Sequence, residues 1–232
     1  MTRLALSVLA CLIVGCAETR LAPVVSPEAL RQRAGVSRSE GKTEEAARLF
    51  FQAIGAQRTD TRDGRAASAD LRRELASLRM SADDLAGAER LYREALALLE
   101  TAPRGADEAI INLRTQLAGL CYRRSRFDEA AEFYRTVLAL EVALLGETHP
   151  DPLGTMSILG GLELKRGKFR EAETLFRRQL RGIQQAHGTE KREVTPVLDN
   201  LADVLDKSGQ AAEAARLRAE AARIRRKLCD EC

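Results

Sequence analysis

The stretch RFDEAAEFYR at residues 126–135 returns as KFREAETLFR at residues 168–177, one period of 42 residues later. Apolar, acidic and aromatic residues keep their slots in both copies. A chain written in a fixed period builds the same supersecondary unit again and again, and such units become stable by stacking. Stepping by 42 gives five registers, with second helices expected to start near Thr43, Leu85, Phe127, Phe169 and Ala211. Three positions on stands an alanine each time, Ala46, Ala88, Ala130, Ala172 and Ala214. Three further on come Leu49, Leu91, Phe133, Leu175 and Leu217, followed by Phe50, Tyr92, Tyr134, Phe176 and then Arg218. Upstream, Leu75, Leu117, Leu159 and Leu201 each precede a small residue (Ala76, Ala118, Gly160, Ala202), whereas the first copy has Arg33 before Ala34. Gly41, Gly167 and Gly209 fall between the halves of their units, where a left-handed helix cap wants glycine.

Each unit therefore reads as two antiparallel helices joined by a short turn. The small residues let the helix backbones close to about 8–10 Å, and the large neighbours fill the space around the contact. Seven of the nine aromatics sit on these rows (Phe50, Tyr92, Phe127, Phe133, Tyr134, Phe169, Phe176), which assigns them to the core and not to a ligand cage. Charged residues make up 31% of the chain with the signs interspersed. The net charge of +3 and the absence of any run of five like charges give no footprint for nucleic acid.

The small residue, the alanine and the aromatic four positions beyond it resemble the tetratricopeptide repeat, although its early tryptophan is missing from every copy. With 42 residues in place of 34, and with LLGETHPDP at residues 144–152 between units, the pattern is similar to the longer repeat of kinesin light chains and their bacterial relatives. The resemblance covers residues 27–228 and is strongest over 110–210. It implies an all-α fold, an α-solenoid of five antiparallel helical hairpins. The repeats fall at about 26–67, 68–109, 110–151, 152–193 and 194–228. Ser26 and Pro27 open the first helix as a cap followed by proline. At the other end Arg218, Arg225, Arg226 and Lys227 form either a basic patch for an acidic lipid or partner, or a polar cap on the last unit.

In this family the first helices line a concave groove that takes a peptide, so the resemblance also carries a site. By register the second unit supplies Arg73, Ser77 and Met80, and the third Asn112, Thr115, Gly119, Tyr122 and Arg123. The fourth supplies Ser157, Gly161, Leu164 and Lys165, and the fifth Asp199, Asp203 and Asp206. Gly119 and Gly161 would let a guest backbone approach closely. Tyr122, which stands off the core rows, would be an aromatic anchor. Asn200 matches an asparagine common in these repeats. The groove is then expected to run from basic (Arg31, Arg38, Arg73) to acidic. Asp199, Asp203 and Asp206 share one helix face. They form either a site for a basic or amino-terminal group or an ordinary solvated face. A straight helix presents too few oxygens for calcium.

The first residues stand apart. Arg3 is followed by an apolar run from Leu4 to Val14, too short for a permanent span. Leu12-Ile13-Val14-Gly15-Cys16 resembles the lipobox of bacterial lipoproteins. The resemblance implies a signal peptide at 1–15, a lipid on Cys16 and a short linker over 16–25. Ala17 after the cysteine points to the outer membrane facing the periplasm. The inner membrane and the soluble periplasm are the alternatives, and a buried N-terminal helix or an ordinary signal remains the bland reading. Of the other cysteines, Cys121 falls in a helical pattern as a small buried filler. Cys229 and Cys232 stand in the tail at 229–232 as candidates for a local or intermolecular disulfide in an oxidising compartment. No metal-ligand set and no cofactor motif is found. His149 and His187 both fall in expected linkers. The expectation is a non-enzymatic adaptor with protein or peptide partners, held to a membrane by its N-terminal lipid. A self-associating structural lipoprotein and a soluble periplasmic binding module are the alternatives.

Overall fold

The computed structural model describes residues 25–101, 107–189 and 191–230. The signal peptide, Cys16, most of the linker after it, part of the linker at 101–108 and Cys232 lie outside the described residues. Ten helices and no strand are found among them. The chain divides into two compact units, one ending at Ala56 and the other beginning at Gln57.

The first unit holds one hairpin, α1 (Pro27–Ser39) and α2 (Thr43–Ala56). The Ser26 hydroxyl accepts from the Ala29 amide at 3.2 Å, and Pro27 needs no amide partner at the first helical position. Leu30, Ala34, Ala46, Leu49, Phe50 and Ala53 close the core of this hairpin.

The second unit holds four hairpins in succession: α3 (Arg62–Ser81) on α4 (Leu85–Glu100), α5 (Asp107–Arg123) on α6 (Phe127–Leu145), α7 (Pro150–Lys165) on α8 (Phe169–His187), and α9 (Val194–Lys207) on α10 (Ala211–Asp230). The second helix of each hairpin also packs on the first helix of the next. Second helices begin at Thr43, Leu85, Phe127, Phe169 and Ala211, the residues that the repeat register singles out. His187 ends α8 and so belongs to a helix, not to a linker.

The rows explain the packing. Leu75, Leu117, Leu159 and Leu201 are buried, as are Ala76, Ala118, Gly160 and Ala202 beside them. A Cβ on Gly160 would stand 2.8 Å from the Phe176 ring, so the crossing of α7 and α8 is closer than any side chain allows. Phe50, Tyr92, Tyr134 and Phe176 are buried, and Phe127, Phe133 and Phe169 are half-buried against the core. Cys121 is fully buried as a filler.

All five intra-hairpin turns are built alike. The residue two past the left-handed position's predecessor returns its amide to a carbonyl in the last helical turn: Lys42 to Ser37, Asp84 to Arg79, Arg126 to Cys121, Lys168 to Glu163 and Gln210 to Leu205, at 2.8–2.9 Å. The left-handed residue is Gly41, Gly167 or Gly209 in three turns, but Asp83 and Ser125, both at φ +59°, in the other two. This is the Schellman arrangement, which satisfies carbonyls that the helix end leaves open.

Candidate functional site

The first helices of the second unit lie side by side: α7 touches α9, and side chains of α5 reach α7 and the α3–α4 turn. None of the residues expected to line the groove is buried. Arg73, Met80, Thr115, Gly119, Ser157, Leu164 and Asp199 are partly covered, and Ser77, Asn112, Tyr122, Arg123, Gly161, Lys165, Asp203 and Asp206 are exposed. The alternation follows from the helix: the leucine row and its small neighbour take one face into the core, which turns these positions outward.

At the centre of this face the sequence-singled residues come together. Lys165 of α7 donates to the Tyr122 hydroxyl of α5 at 3.2 Å. Its ammonium also lies 4.7 Å from the centre of the Tyr122 ring and 4.5 Å from that of Phe127. Tyr122 is 44% exposed. Arg123 pairs with Asp83 of the preceding hairpin at 3.2 Å. Beside this cluster a Cβ on Gly119 or Gly161 would meet nothing within 4 Å, so the surface there is open. Sequence reasoning missed Ile158, an isoleucine 51% exposed on the same helix one position after Ser157. Gly154, equally open, was missed with it. Both lie within a turn of Ser157 and could have been found by following the helix face in steps of three and four.

At the acidic end the aspartates have partners within the chain. Asp203 and Asp206 both pair with Arg218 of α10, the first at 2.8 Å, and Asp199 pairs with Arg225. The three aspartates, expected as a site for a basic group or as a solvated face, are thus met by arginines of the same chain, and two of the four basic residues expected in a terminal patch are engaged there. At the basic end Arg73 is paired with Asp70 at 3.3 Å.

Away from this face, charges tie the hairpins together. Glu89 of α4 receives Arg93, Arg124 and Arg126 at 2.9, 2.6 and 2.5 Å. Burial opposes its charge, but hydrogen bonds from Arg126 and Arg93 outweigh burial and lower its carboxyl to about 2. Glu141 of α6 shows the opposite balance: burial pushes its carboxyl up, and a hydrogen bond from Thr155 only partly offsets it. Ligand atoms of Glu89, Cys121 and Glu129 lie within 4.8 Å of one another, a spacing that could hold a metal ion. Three guanidinium groups already engage and balance these carboxylates. His149 serves the backbone: it caps α7, its Nδ1 accepting from the Asp151 amide at 3.3 Å, with Pro150 next in the helix.

Two overlapping stretches, residues 107–181 and 151–227, match the family model described as tetratricopeptide repeat. They span just over half of the chain, and the chain belongs to that family. Tetratricopeptide repeat proteins are generally non-enzymatic adaptors for other proteins. Among solved structures, a putative kinesin light chain with nearly identical TPR-like repeats from Podosopora anserina is 21% identical, with 87% of this chain and 95% of that one covered at a TM-score of 0.67. BtubC (BKLC) from P. vanneervenii is also 21% identical, covering 87% and 80% at a TM-score of 0.64. MamA from Desulfovibrio magneticus RS-1 is 11% identical, covering 87% and 96% at 0.57. At these identities the likeness shows a shared fold. No curated protein matches the chain.

Proposed function

We propose that the protein is an adaptor, tethered by lipid on Cys16 in the bacterial envelope, that holds a peptide segment of another protein against its first-helix face. The observation that carries the reading is the centre of that face. An exposed tyrosine and an exposed isoleucine stand beside two glycines with open space above them. Exposed aromatic and aliphatic groups bind by leaving water, and glycines let a guest backbone come close enough to hydrogen-bond. The Leu12–Cys16 motif supports the tether, and several acyl chains at ~0.8 kcal/mol per buried methylene make attachment effectively permanent. Nine residues between Cys16 and Ser26 give the helical body a reach of roughly 30 Å.

Two measurements test the two halves separately. Metabolic palmitate should label the protein and be lost in Cys16→Ala; labelling that survives the substitution removes the tether. Partner recovery from crosslinked membranes should fall several-fold in a folded Tyr122→Ala, Arg123→Ala variant, and undiminished recovery removes this face as the docking surface.

A further inference from the structure

We propose that Tyr122 and Phe127 form a subsite for a cationic side chain of the guest, a guanidinium or an ammonium, and that Lys165 occupies this subsite while no guest is bound. The proposal deepens the reading of the first-helix face as the docking surface and rests on it. The two rings make a corner, their centres 5.4 Å apart and their planes inclined at 63°. Each aromatic face carries the negative part of its ring's charge distribution, so the inside of such a corner attracts positive charge. The Lys165 ammonium sits in this position, against both rings and the Tyr122 hydroxyl. Among the described residues no carboxylate lies within ion-pair distance of it. The rings and the hydroxyl alone hold the charge, and the ammonium marks where a foreign cation would rest.

Its hold is weak by construction. Lys165 and Tyr122 are exposed, and cation–π contacts in water are among the weaker polar interactions. Lysine is strongly hydrated and its stem is flexible, so it leaves readily for solvent. Arginine is planar, less hydrated and stacks on a tyrosine face, which favours it in the exchange. The guanidinium groups of Arg123, Arg126 and Arg166, next in the chain to Tyr122, Phe127 and Lys165, are each balanced by carboxylates and add little repulsion. Gly119 and Gly161 keep the approach open on either side. The acidic row at the far end of the face gives a basic guest no comparable seat, because Arg218 and Arg225 already fill it.

The test titrates the full chain with N-acetylarginine amide and, separately, N-acetylglutamate amide while following the Phe127 ring, which every variant keeps, by NMR. Lys165→Ala and Lys165→Gln empty the corner without touching the core. Both should bind the arginine probe roughly two- to five-fold more tightly than the unaltered protein, the scale of one exposed cation–π contact. Tyr122→Leu added to Lys165→Ala should abolish the response. Equal affinity for the arginine probe in all proteins would overturn the proposal and leave Lys165 as a staple between α5 and α7. Preference for the glutamate probe in the unaltered protein would overturn it too, making Lys165 an anion-binding group. If the arginine gain is missing while partner recovery still depends on Tyr122 and Arg123, the corner fails and the docking face stands.

Discussion

Ser125 holds a φ of +59° at a turn position where three of the other four units place glycine. A side chain in the left-handed region costs about 1–2 kcal/mol, and glycine gives back about 0.5–1 kcal/mol through its freer unfolded chain. Ser125→Gly should therefore stabilise the protein by about 0.5–1 kcal/mol, read as a higher urea midpoint at unchanged slope. A lower midpoint would mean that the serine makes a contact worth more than the strain. Asp83→Gly should gain less, because the same carboxylate holds Arg123. The sequence showed this position only through its glycines. Aspartate and serine tolerate the conformation through local hydrogen bonding, so they hid two of the five turns. The fate of the acidic row was legible in principle. Met80 and Tyr92, Leu164 and Phe176, and Asp206 and Arg218 are the same two positions in three units. The Tyr92 hydroxyl donates to the Met80 sulfur at 3.6 Å, and Arg218 reaches Asp206 in the same way. The break in the aromatic row at Arg218 and Asp206 opposite it are thus one coupled change, an ion pair in place of an apolar contact.

At the scale of helices, the hairpin is the part of the fold most fully written in the sequence. Its code is local: a small residue, an aromatic 16 positions later and a left-handed turn between them fix which faces meet. What joins one hairpin to the next was less visible, because arginine and glutamate are common and their partners lie a repeat away. Arg93 to Glu129 at 3.0 Å and Arg177 to Glu213 at 2.8 Å are the same bridge at the same 36-residue step. Arg135 holds the same slot but turns to the buried Glu163 of α7. Glu89 is another of these ties, joining α4 to Arg124 and Arg126 in the turn between α5 and α6. Its carboxyl is lowered to about 2 from the ordinary 4.5, so its contribution is complete above about 4.5 and disappears as pH falls towards 2. Glu89→Gln should cost up to about 3 kcal/mol at pH 7, and the gap between the two proteins should narrow below about pH 4.5 and close towards pH 2. Urea melts at both pH values check this. A gap that persists at pH 2 would place the loss in packing and not in charge.

At the scale of the molecule, the family and the all-helical architecture followed from periodicity, while the tether rests on sixteen residues that precede the described structure. No helix among the described residues is long and apolar enough to cross a membrane. The proposed docking face could be laid out from the sequence because a repeat puts equivalent positions side by side: Lys165 and Tyr122 are 43 residues apart, one period and one residue, and they touch. Their joint occupation of an aromatic corner was not readable, since it depends on the half-buried Phe127 turning its ring towards α5. The most direct measurement places a photo-crosslinking residue at Gly161, Tyr122 or Asn112 on this face, and at Thr174 or Arg170 on the exposed side of α8, in cells expressing the full chain. Adducts to a partner polypeptide from the first three positions and none from the last two are the predicted result. Adducts of equal yield from both faces, or from α8 alone, would contradict the account.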